Sequence, residues 1–205
     1  MRPKIFDCIT FFQENMISNI RFEILNSIVD HFVVCESKYD HKGKRKTLNF
    51  RLLNKKFKDK VIYLVLDEPF DVNNTPWKNQ AIQREFILNN LNNIDLEDYV
   101  MFSDPDEIPN PKTLKNLNLK KKYGIFLQKM YCYKFNLFNK EESPWQGTRI
   151  CKKKNLKSIN YMRRKIVLKN FKQPFWKIHK EKSIEIFKEG GWHFNSLLTP
   201  EEISL

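Results

Sequence analysis

The sequence predicts an α/β protein built on a mixed, mostly parallel β-sheet with helices on its faces. Three observations support this class. The first half of the chain contains four short apolar runs rich in Val, Ile and Phe, and segments with helical periodicity separate them. Acidic residues directly follow three of the runs. Strands that alternate with helices are typical of parallel sheets, because each parallel connection needs a crossover.

The elements of the first half follow in order along the chain. Residues 4–12, 31–35, 61–66 and 99–102 read as buried strands. A helix is predicted over residues 15–30, capped by Ser18 or Asn19, and a short helix over 47–57, capped by Thr47. A third helix, residues 77–91, starts after Pro76, and its predicted buried face is Ile82 and Phe86 with Ile87, Leu88 and Leu91.

The second half has a less regular pattern. Residues 124–135 and 147–152 are predicted strands, whereas residues 158–188 mix basic and aromatic residues without a clean period. Thr199-Pro200 with the acids after it has the features of a helix start. Too few residues follow for two helical turns, which favours a truncated chain.

Composition restricts the class of protein and its partners. The 205 residues suit one domain, and 37 basic against 24 acidic residues give a net charge of +13. Such a surface attracts phosphates, nucleotides, nucleic acid or anionic membranes, although lysine runs are usually solvated faces. The four cysteines form no C-x-x-C pair, and the chain shows neither a signal peptide nor a transmembrane run. We therefore expect a cytoplasmic protein whose basic surface can hold it at a membrane face.

The acidic stretch after the fourth strand is the candidate site. Asp104, Asp106 and Glu107 directly follow the buried run, at the strand's carboxyl end, where open α/β sheets bind ligands. Pro105 restricts the backbone between the two aspartates, and hard carboxylate oxygens suit Mg²⁺ or Mn²⁺. Asp-Pro-Asp is also common turn chemistry, so the tripeptide alone leaves both interpretations open.

Several stretches together resemble glycosyltransferase family 17, whose animal members add the bisecting β1,4-linked N-acetylglucosamine to N-glycans. They occur in the family's order and cover nearly the whole chain. The matching stretches are residues 6–12, 33–37, 42–44, Gln83-Arg84, 103–109, 145–148 and 190–194.

The resemblance implies a GT-A type fold, a nucleotide-sugar donor and inversion at the anomeric carbon. It implies a single glycosyltransferase domain over residues 1–205, with a nucleotide-binding half at 1–109 and an acceptor-side half at 110–205. The expected donor is a UDP-sugar, best interpreted as UDP-N-acetylglucosamine, and the expected acceptor is a glycan or glycoconjugate. The family usually continues beyond the Gly190-Gly191 stretch, in agreement with truncation.

Metal ligands are expected in the same stretch. By similarity, Asp106 binds the metal directly, while Asp104 contacts the ribose or reaches the metal through water. His193, far downstream, could complete the coordination sphere of Mn²⁺, or of Mg²⁺, although imidazole suits Mn²⁺ better. A packed histidine between Trp192 and Phe194 is the alternative.

Other assignments also depend on the resemblance. Glu36 could accept a hydrogen bond from the uracil or ribose, and Arg84 could reach the diphosphate or brace Asp104. An inverting transfer needs a general base, for which Glu107 and Glu189 are the candidates, with Asp71 not excluded. Further residues with possible roles are Lys42, Lys44 and Arg45 in a basic loop, and Trp145 and Trp192 as sugar-stacking rings.

Two other functions compete with the transferase. The basic and aromatic residues of 161–182 would also suit a nucleic-acid-binding protein, which would not need Asp104 or Asp106. A catalytically inactive relic that binds a sugar nucleotide or glycan is the third possibility. The transferase is the leading hypothesis, and no nucleic-acid partner is expected.

Overall fold

The computed structural model describes residues 2–91 and 94–197. Within these ranges nine strands form one connected sheet and are numbered along the chain as β1 Ile5–Phe11, β2 His31–Ser37, β3 Val61–Leu66, β4 Tyr99–Ser103, β5 Glu107–Pro109, β6 Tyr123–Cys132, β7 Trp145–Lys152, β8 Ile184–Phe187 and β9 Gly191–Asn195. Their order in the sheet is β3-β2-β1-β4-β7-β6-β9-β5, and β8 also pairs with β6. Five of the eight strand pairings are parallel: β1 with β2 and β4, β2 with β3, and β6 with β8 and β9. The predicted fold class, a mixed and mostly parallel sheet flanked by helices, is confirmed.

The four predicted strands of the first half are all present. They are β1 to β4. All pairings among these strands are parallel, so their carboxyl ends lie along one edge of the sheet. The side chains of β1, β2 and β4 alternate between two apolar clusters, one on each face, as expected for a sheet covered on both sides.

The second half completes the sheet mainly with antiparallel pairs. Its strands are β5 to β9. Strand β6 ends three residues before its prediction, at a point where Tyr133 has a positive φ of 65°. The short strand β5 was not predicted, because the acidic stretch reads as a turn.

Helices cover the faces of the sheet. Their bounds are α1 Asn15–Leu25, α2 Pro76–Asn89, α3 Pro111–Lys115 and α4 Ile159–Lys165. The predicted cap of α1 was wrong: Ser18 and Asn19 lie inside the helix and are buried, and Glu14 holds the N-cap position. Asn19 instead binds the backbone of Arg51 and Leu53.

The helix predicted over residues 47–57 was also wrong. Only a 3₁₀ turn, Lys55–Phe57, forms there, and Asn54 caps it. The preceding backbone is held by side chains of other elements, since the N–H groups of Asn49 and Phe50 donate to Glu36 and that of Leu53 donates to Asn19. Amides bound in this way cannot donate along a helix.

Helix α2 begins as predicted, with Thr75 as its cap and Pro76 in its first turn. Its predicted buried face is confirmed for Ile87 and Leu91, while Phe86 and Leu88 are partly buried. Ile82 is exposed, and the polar side chains of Asn79, Gln83 and Arg84 are buried instead. The helix therefore presents polar side chains inward near its N-terminal half, where it lies beside the carboxyl edge of the sheet.

No helix among the described residues combines the length and apolar character needed to cross a bilayer. The helix start predicted at Thr199-Pro200 lies outside the described residues, as does the last part of the acceptor-side half.

Candidate functional site

A cleft of about 220 Å³ lies at the carboxyl edge of the parallel strands. Segments after β1, β2 and β4, together with α2 and β9, contribute its walls, which is the position where α/β sheets bind ligands. The lining residues with polar side chains are Thr10, Glu14, Ser37, Tyr39, Asp40, His41, Lys46, Gln80, Gln83, Asp104, Asp106 and His193. The sequence-predicted Asp104, Asp106 and His193 therefore share one cleft.

A buried arginine supports the acidic turn from below. Arg21 has no solvent exposure and pairs with both oxygens of Asp7 at 2.6 Å. It also donates to the hydroxyl of Ser103 at 2.6 Å and to the carbonyl of Glu107 at 2.5 Å. Because a guanidinium is a rigid planar donor, this arrangement fixes the turn between β4 and β5 relative to α1.

Glu107 is the most completely engaged acid of the turn. Its carboxylate is fully buried and accepts from Arg163, from the indole of Trp145 at 2.6 Å and from the backbone of Asp104. Burial opposes its ionisation most strongly, but the charge and hydrogen bonds of Arg163, helped by His193 and Trp145, hold its pKa below the usual value. Glu107 thus serves as a buried anion in the wall of the site.

Asp104 lies between the cleft and two arginines. One carboxylate oxygen is 2.5 Å from Arg163, and the other is 3.8 Å from Arg84. Arg84 is itself buried over the ring of Phe102, and burial lowers its pKa to about 10 although the Asp104 charge opposes this. Of the two contacts expected for Arg84, the structure shows the one with Asp104.

Strand β9 carries His193 to the acidic turn. In the pairing of β5 with β9, His193 lies opposite Glu107, and its Nε2 is 3.3 Å from a carboxylate oxygen of Asp106. Two glycines at the start of β9 permit this insertion: Gly191 has a φ of +112°, and a Cβ there would lie 2.2 Å from the carbonyl oxygen of Ile108. A Cβ on Gly190 would meet the backbone of Leu127 at 2.4 Å.

The ring of His193 is fixed on one side by Trp145, whose ring centroid is 5.0 Å away. Burial lowers the pKa of His193 most strongly, but the hydrogen bond and charge of Asp106, with the charges of Glu107 and Asp104, raise it overall. Its Nδ1 is buried without a partner among the described residues. Trp145 therefore braces His193 on one side, and its role in stacking on a sugar stays a prediction.

The carboxylate and imidazole in the cleft fit a divalent metal of the Mn²⁺ type. Asp106 and His193 converge on one point from separate elements and offer an oxygen and a nitrogen donor, with Asp104 beside them. Within residues 2–91 and 94–197, no three or more His, Cys, Asp and Glu side chains are grouped so that they alone could hold a metal ion. A metal would thus draw its other ligands from water and phosphate oxygens, as is usual where Mg²⁺ or Mn²⁺ handles phosphates.

Glu36 lies beneath a loop of the cleft and not in its lining. Its two buried oxygens accept from Lys46 at 2.5 Å, from the amides of Asn49 and Phe50, and from the hydroxyl of Tyr63 at 2.7 Å. A carboxylate with four donors has little capacity left for a ligand. Contact of Glu36 with a nucleotide stays a prediction, while the structure shows it holding the loop after β2.

The polar face of α2 connects to the same loop. Gln83 donates to the carbonyl of Cys35 at 2.9 Å and contacts Nε2 of His41 at 2.8 Å, and Asn79 donates to the carbonyl of His41. The side-chain oxygen of Gln80 is buried in the cleft lining without a partner among the described residues. The predicted basic loop forms a tight turn, in which Asp40 binds the amides of Lys42 and Lys44.

The remaining predicted residues lie away from the cleft. Glu189 is exposed and lines a separate groove with Trp192 and the glycine pair. The roles of Glu107 and Glu189 as general base stay predictions, and neither residue lines the cleft.

Sequence reasoning missed four residues that contact or support the site. Arg163, Arg21, Glu14 and Gln80 had no distinguishing signal, because two are arginines within ordinary helices and the other two belong to no motif. Glu14 lines the cleft, and its carboxylate accepts from the amides of Phe12 and Gln13.

Comparison with known proteins agrees with the resemblance noted above. The sequence model of glycosyltransferase family 17 matches residues 1–196. The β-1,4-mannosyl-glycoprotein 4-β-N-acetylglucosaminyltransferases of Rattus norvegicus and Homo sapiens are each 32% identical over 116 residues, which is 52% of this chain. The chain spans about a fifth of the length of these curated relatives, since the match covers 22% of each.

Among solved structures, one similar chain is a glycosyltransferase involved in the glycosylation of the major capsid of PBCV-1. It is 11% identical, and the alignment covers 91% of this chain and 82% of that one with a TM-score of 0.38. At that score the likeness carries no argument about the site.

Proposed function

Because the chain belongs to glycosyltransferase family 17, we propose that it transfers a sugar from a UDP-sugar to a glycan acceptor, with metal dependence and inversion at the anomeric carbon. The best candidate for the sugar is N-acetylglucosamine, because the relatives are named N-acetylglucosaminyltransferases. The observation that carries the proposal is the 3.3 Å approach of Asp106 and His193 in a cleft at the carboxyl edge of the sheet.

Different residues of the cleft would bind the metal, orient its ligands and contact the nucleotide. Asp106 and His193, with Asp104 beside them, would hold Mn²⁺ or Mg²⁺, which when bound neutralises the negative charge of a departing diphosphate. Arg163 and Arg84 orient Asp104. Burial raises the pKa of Asp104, and the charges of the two arginines oppose that rise. The unpartnered oxygen of Gln80 can accept from a donor group such as a nucleoside hydroxyl or imide N–H.

The general base takes the proton of the acceptor hydroxyl in an inverting transfer. Of the two residues predicted for it, Glu107 is fully buried against Arg163 and Glu189 lines a different groove. Glu14 lines the cleft and also an adjoining groove that Asp106 borders, so an acceptor in that groove would meet its carboxylate. We therefore add Glu14 as a candidate base.

Thermal unfolding with UDP, with and without Mn²⁺, tests the donor site. We expect UDP with Mn²⁺ to raise the melting temperature of the wild-type chain, and Asp106→Asn, measured against its own melting temperature without ligand, to show no such shift. Asp59→Asn, at an exposed acid outside the cleft, is the matched control. A shift that does not need Mn²⁺ or Asp106 would contradict the proposal.

Turnover separates an enzyme from a relic. Release of UDP from UDP-N-acetylglucosamine in the presence of Mn²⁺ is the expected result, and it should fall strongly in Asp106→Asn. Binding of UDP without release, in the presence of a range of glycan acceptors, would instead support the catalytically inactive alternative.

A further inference from the structure

The segment of residues 168–180, called here the basic aromatic segment, projects large apolar side chains into solvent. Phe175 is 83% exposed, Trp176 66%, Ile178 91% and Phe171 42%. Exposed apolar residues are ordinary when scattered, but four within eight positions form a patch that indicates an interaction surface.

The same segment is strongly basic. Lys169, Lys172, Lys177 and Lys180 alternate with the apolar residues, and no acid occurs in the sequence from Arg163 to Lys180. Lys120, Lys121 and Lys122 are exposed at the start of β6, and the ammonium of Lys121 lies 5.8 Å from the ring of Phe171. The next two acids along the sequence have partners of their own, since Glu181 pairs with Lys122 and Glu185 accepts from the amide of Lys120.

The segment is held in shape at its base. Asn170 donates to the carbonyls of Lys165 and Glu181, and Lys182 donates to those of Gln173 and Pro174. Backbone hydrogen bonds from Lys177 to Pro174 and from Lys180 to Lys177 form the turn that carries the apolar tip. These hydrogen bonds hold the apolar tip in its projecting position. The segment therefore loses little conformational entropy when it binds a partner.

We propose that the basic aromatic segment docks the protein on an anionic phospholipid membrane. Tryptophan and phenylalanine favour the membrane interface, and lysines beside them are attracted to anionic headgroups. This chemistry matches a patch in which apolar side chains project and ammonium groups surround them. The proposal does not depend on the nature of the sugar donor.

A nucleic acid fits the segment less well. Proteins that bind single strands stack bases on rings within a positive groove. Here the most exposed apolar side chain is the aliphatic Ile178, and Phe175 stands almost wholly clear of the surface. The aliphatic Ile178 offers no stacking face for a base, and Phe175 and Trp176 pack edge to face against each other at the tip and do not line a groove. Protruding apolar groups of this kind suit insertion between lipid headgroups.

Vesicle sedimentation of the full chain tests the proposal. We expect binding to phosphatidylcholine vesicles containing about one third phosphatidylglycerol to exceed binding to pure phosphatidylcholine vesicles by on the order of tenfold or more, and to weaken at high salt. Phe175→Ser/Trp176→Ser and Lys172→Glu/Lys177→Glu should each reduce binding on the order of tenfold. Trp176→Phe should retain binding.

Matched controls carry the same chemical changes elsewhere on the surface. Val72→Ser removes another exposed apolar side chain, and Lys55→Glu/Lys58→Glu makes the same change in net charge. Both should bind vesicles like the wild type. The melting temperature of each variant without ligand shows whether it is folded. Because this measurement needs no nucleotide, the test stays separate from the proposed function.

Three outcomes would overturn the proposal. The first is equal vesicle binding by the segment variants and the controls. The second is displacement from vesicles by a single-stranded oligonucleotide that binds more tightly through the same residues, which would assign the surface to nucleic acid. The third is a wild-type dimer that Trp176→Ser converts to monomer, which would assign the patch to a second copy.

Discussion

The acids below the cleft and the acids that face it differ in how completely they are bound. Glu107 and Asp7 are buried, and arginine donors occupy their oxygens. Asp106 contacts His193 at 3.3 Å and remains partly exposed to the cleft. Residues of a single acidic turn therefore serve two purposes. The saturated carboxylates hold the turn, and those with open oxygens are available to a ligand.

The largest effect should come from the saturated set. Arg21→Met leaves the carboxylate of Asp7 buried without its partner, and we expect a loss of about 3–5 kcal/mol in the free energy of unfolding. Urea unfolding measures this loss. The double variant Asp7→Leu/Arg21→Met removes both charges and should recover much of the stability. A loss below about 1 kcal/mol in Arg21→Met would contradict the structural role of the buried, arginine-bound carboxylates.

The next effect concerns the glycine that positions His193. Gly191→Ala combines a strained positive φ with a Cβ only 2.2 Å from the carbonyl oxygen of Ile108, so we expect a destabilisation of about 2–3 kcal/mol. Gly43→Ala is the matched control, because Gly43 has a φ of +87° and open space around it. It should cost about 1 kcal/mol or less. Equal losses would show that strain alone, and not the insertion of β9, requires the glycine.

Glu36 tests whether a saturated carboxylate outside the acidic turn also has a structural role. In Glu36→Gln the amide nitrogen would face a backbone N–H or Lys46, and we expect a loss of about 2 kcal/mol in unfolding free energy. Asp67→Asn, which removes the partner of Lys38 in an exposed pair, should cost about 0.5 kcal/mol or less. If Glu36→Gln kept the stability of the wild type but bound UDP more weakly, Glu36 would instead contact the nucleotide, as was expected from the sequence.

The smallest effect is a pH dependence carried by His193. Its pKa in the folded protein is raised above the ordinary 6.5, so its stabilising contribution is complete below about pH 6.5 and is lost as pH rises through the folded value. Unfolding free energies measured in EDTA should show this decline in the wild type. Asp106→Asn, which removes the partner of His193, should flatten it. An equally steep decline in that variant would assign the dependence to other groups.

The sequence alone was sufficient for the elements whose stability is local or periodic. The four parallel strands follow from apolar runs, and the start of α2 follows from Pro76. The loop over residues 46–54 could not be predicted, because its backbone conformation is set by distant side chains such as Glu36 and Asn19. Composition marks a possible helix there, and tertiary hydrogen bonds override it.

The candidate site divides in the same way. Asp104 and Asp106 could be predicted as site residues because they follow the end of a buried strand. His193 could be placed beside them through the resemblance to glycosyltransferase family 17. The roles of Arg21 and Arg163 depend on contacts across the fold, to Glu107 and Asp104, that no local pattern encodes. The burial of Glu107 could not be predicted from the sequence either, because it arises from Trp145 and Arg163, which pack over its carboxylate.

Direct titration of Mn²⁺ in the presence of UDP, followed by the electron paramagnetic resonance signal of free Mn²⁺, tests the central claim that Asp106 and His193 act together. We predict one bound Mn²⁺ per wild-type chain, with affinity lowered at least about tenfold, or about 1.4 kcal/mol, in Asp106→Asn and in His193→Gln. Wild-type affinity for Mn²⁺ in both variants, with both chains folded, would contradict the account.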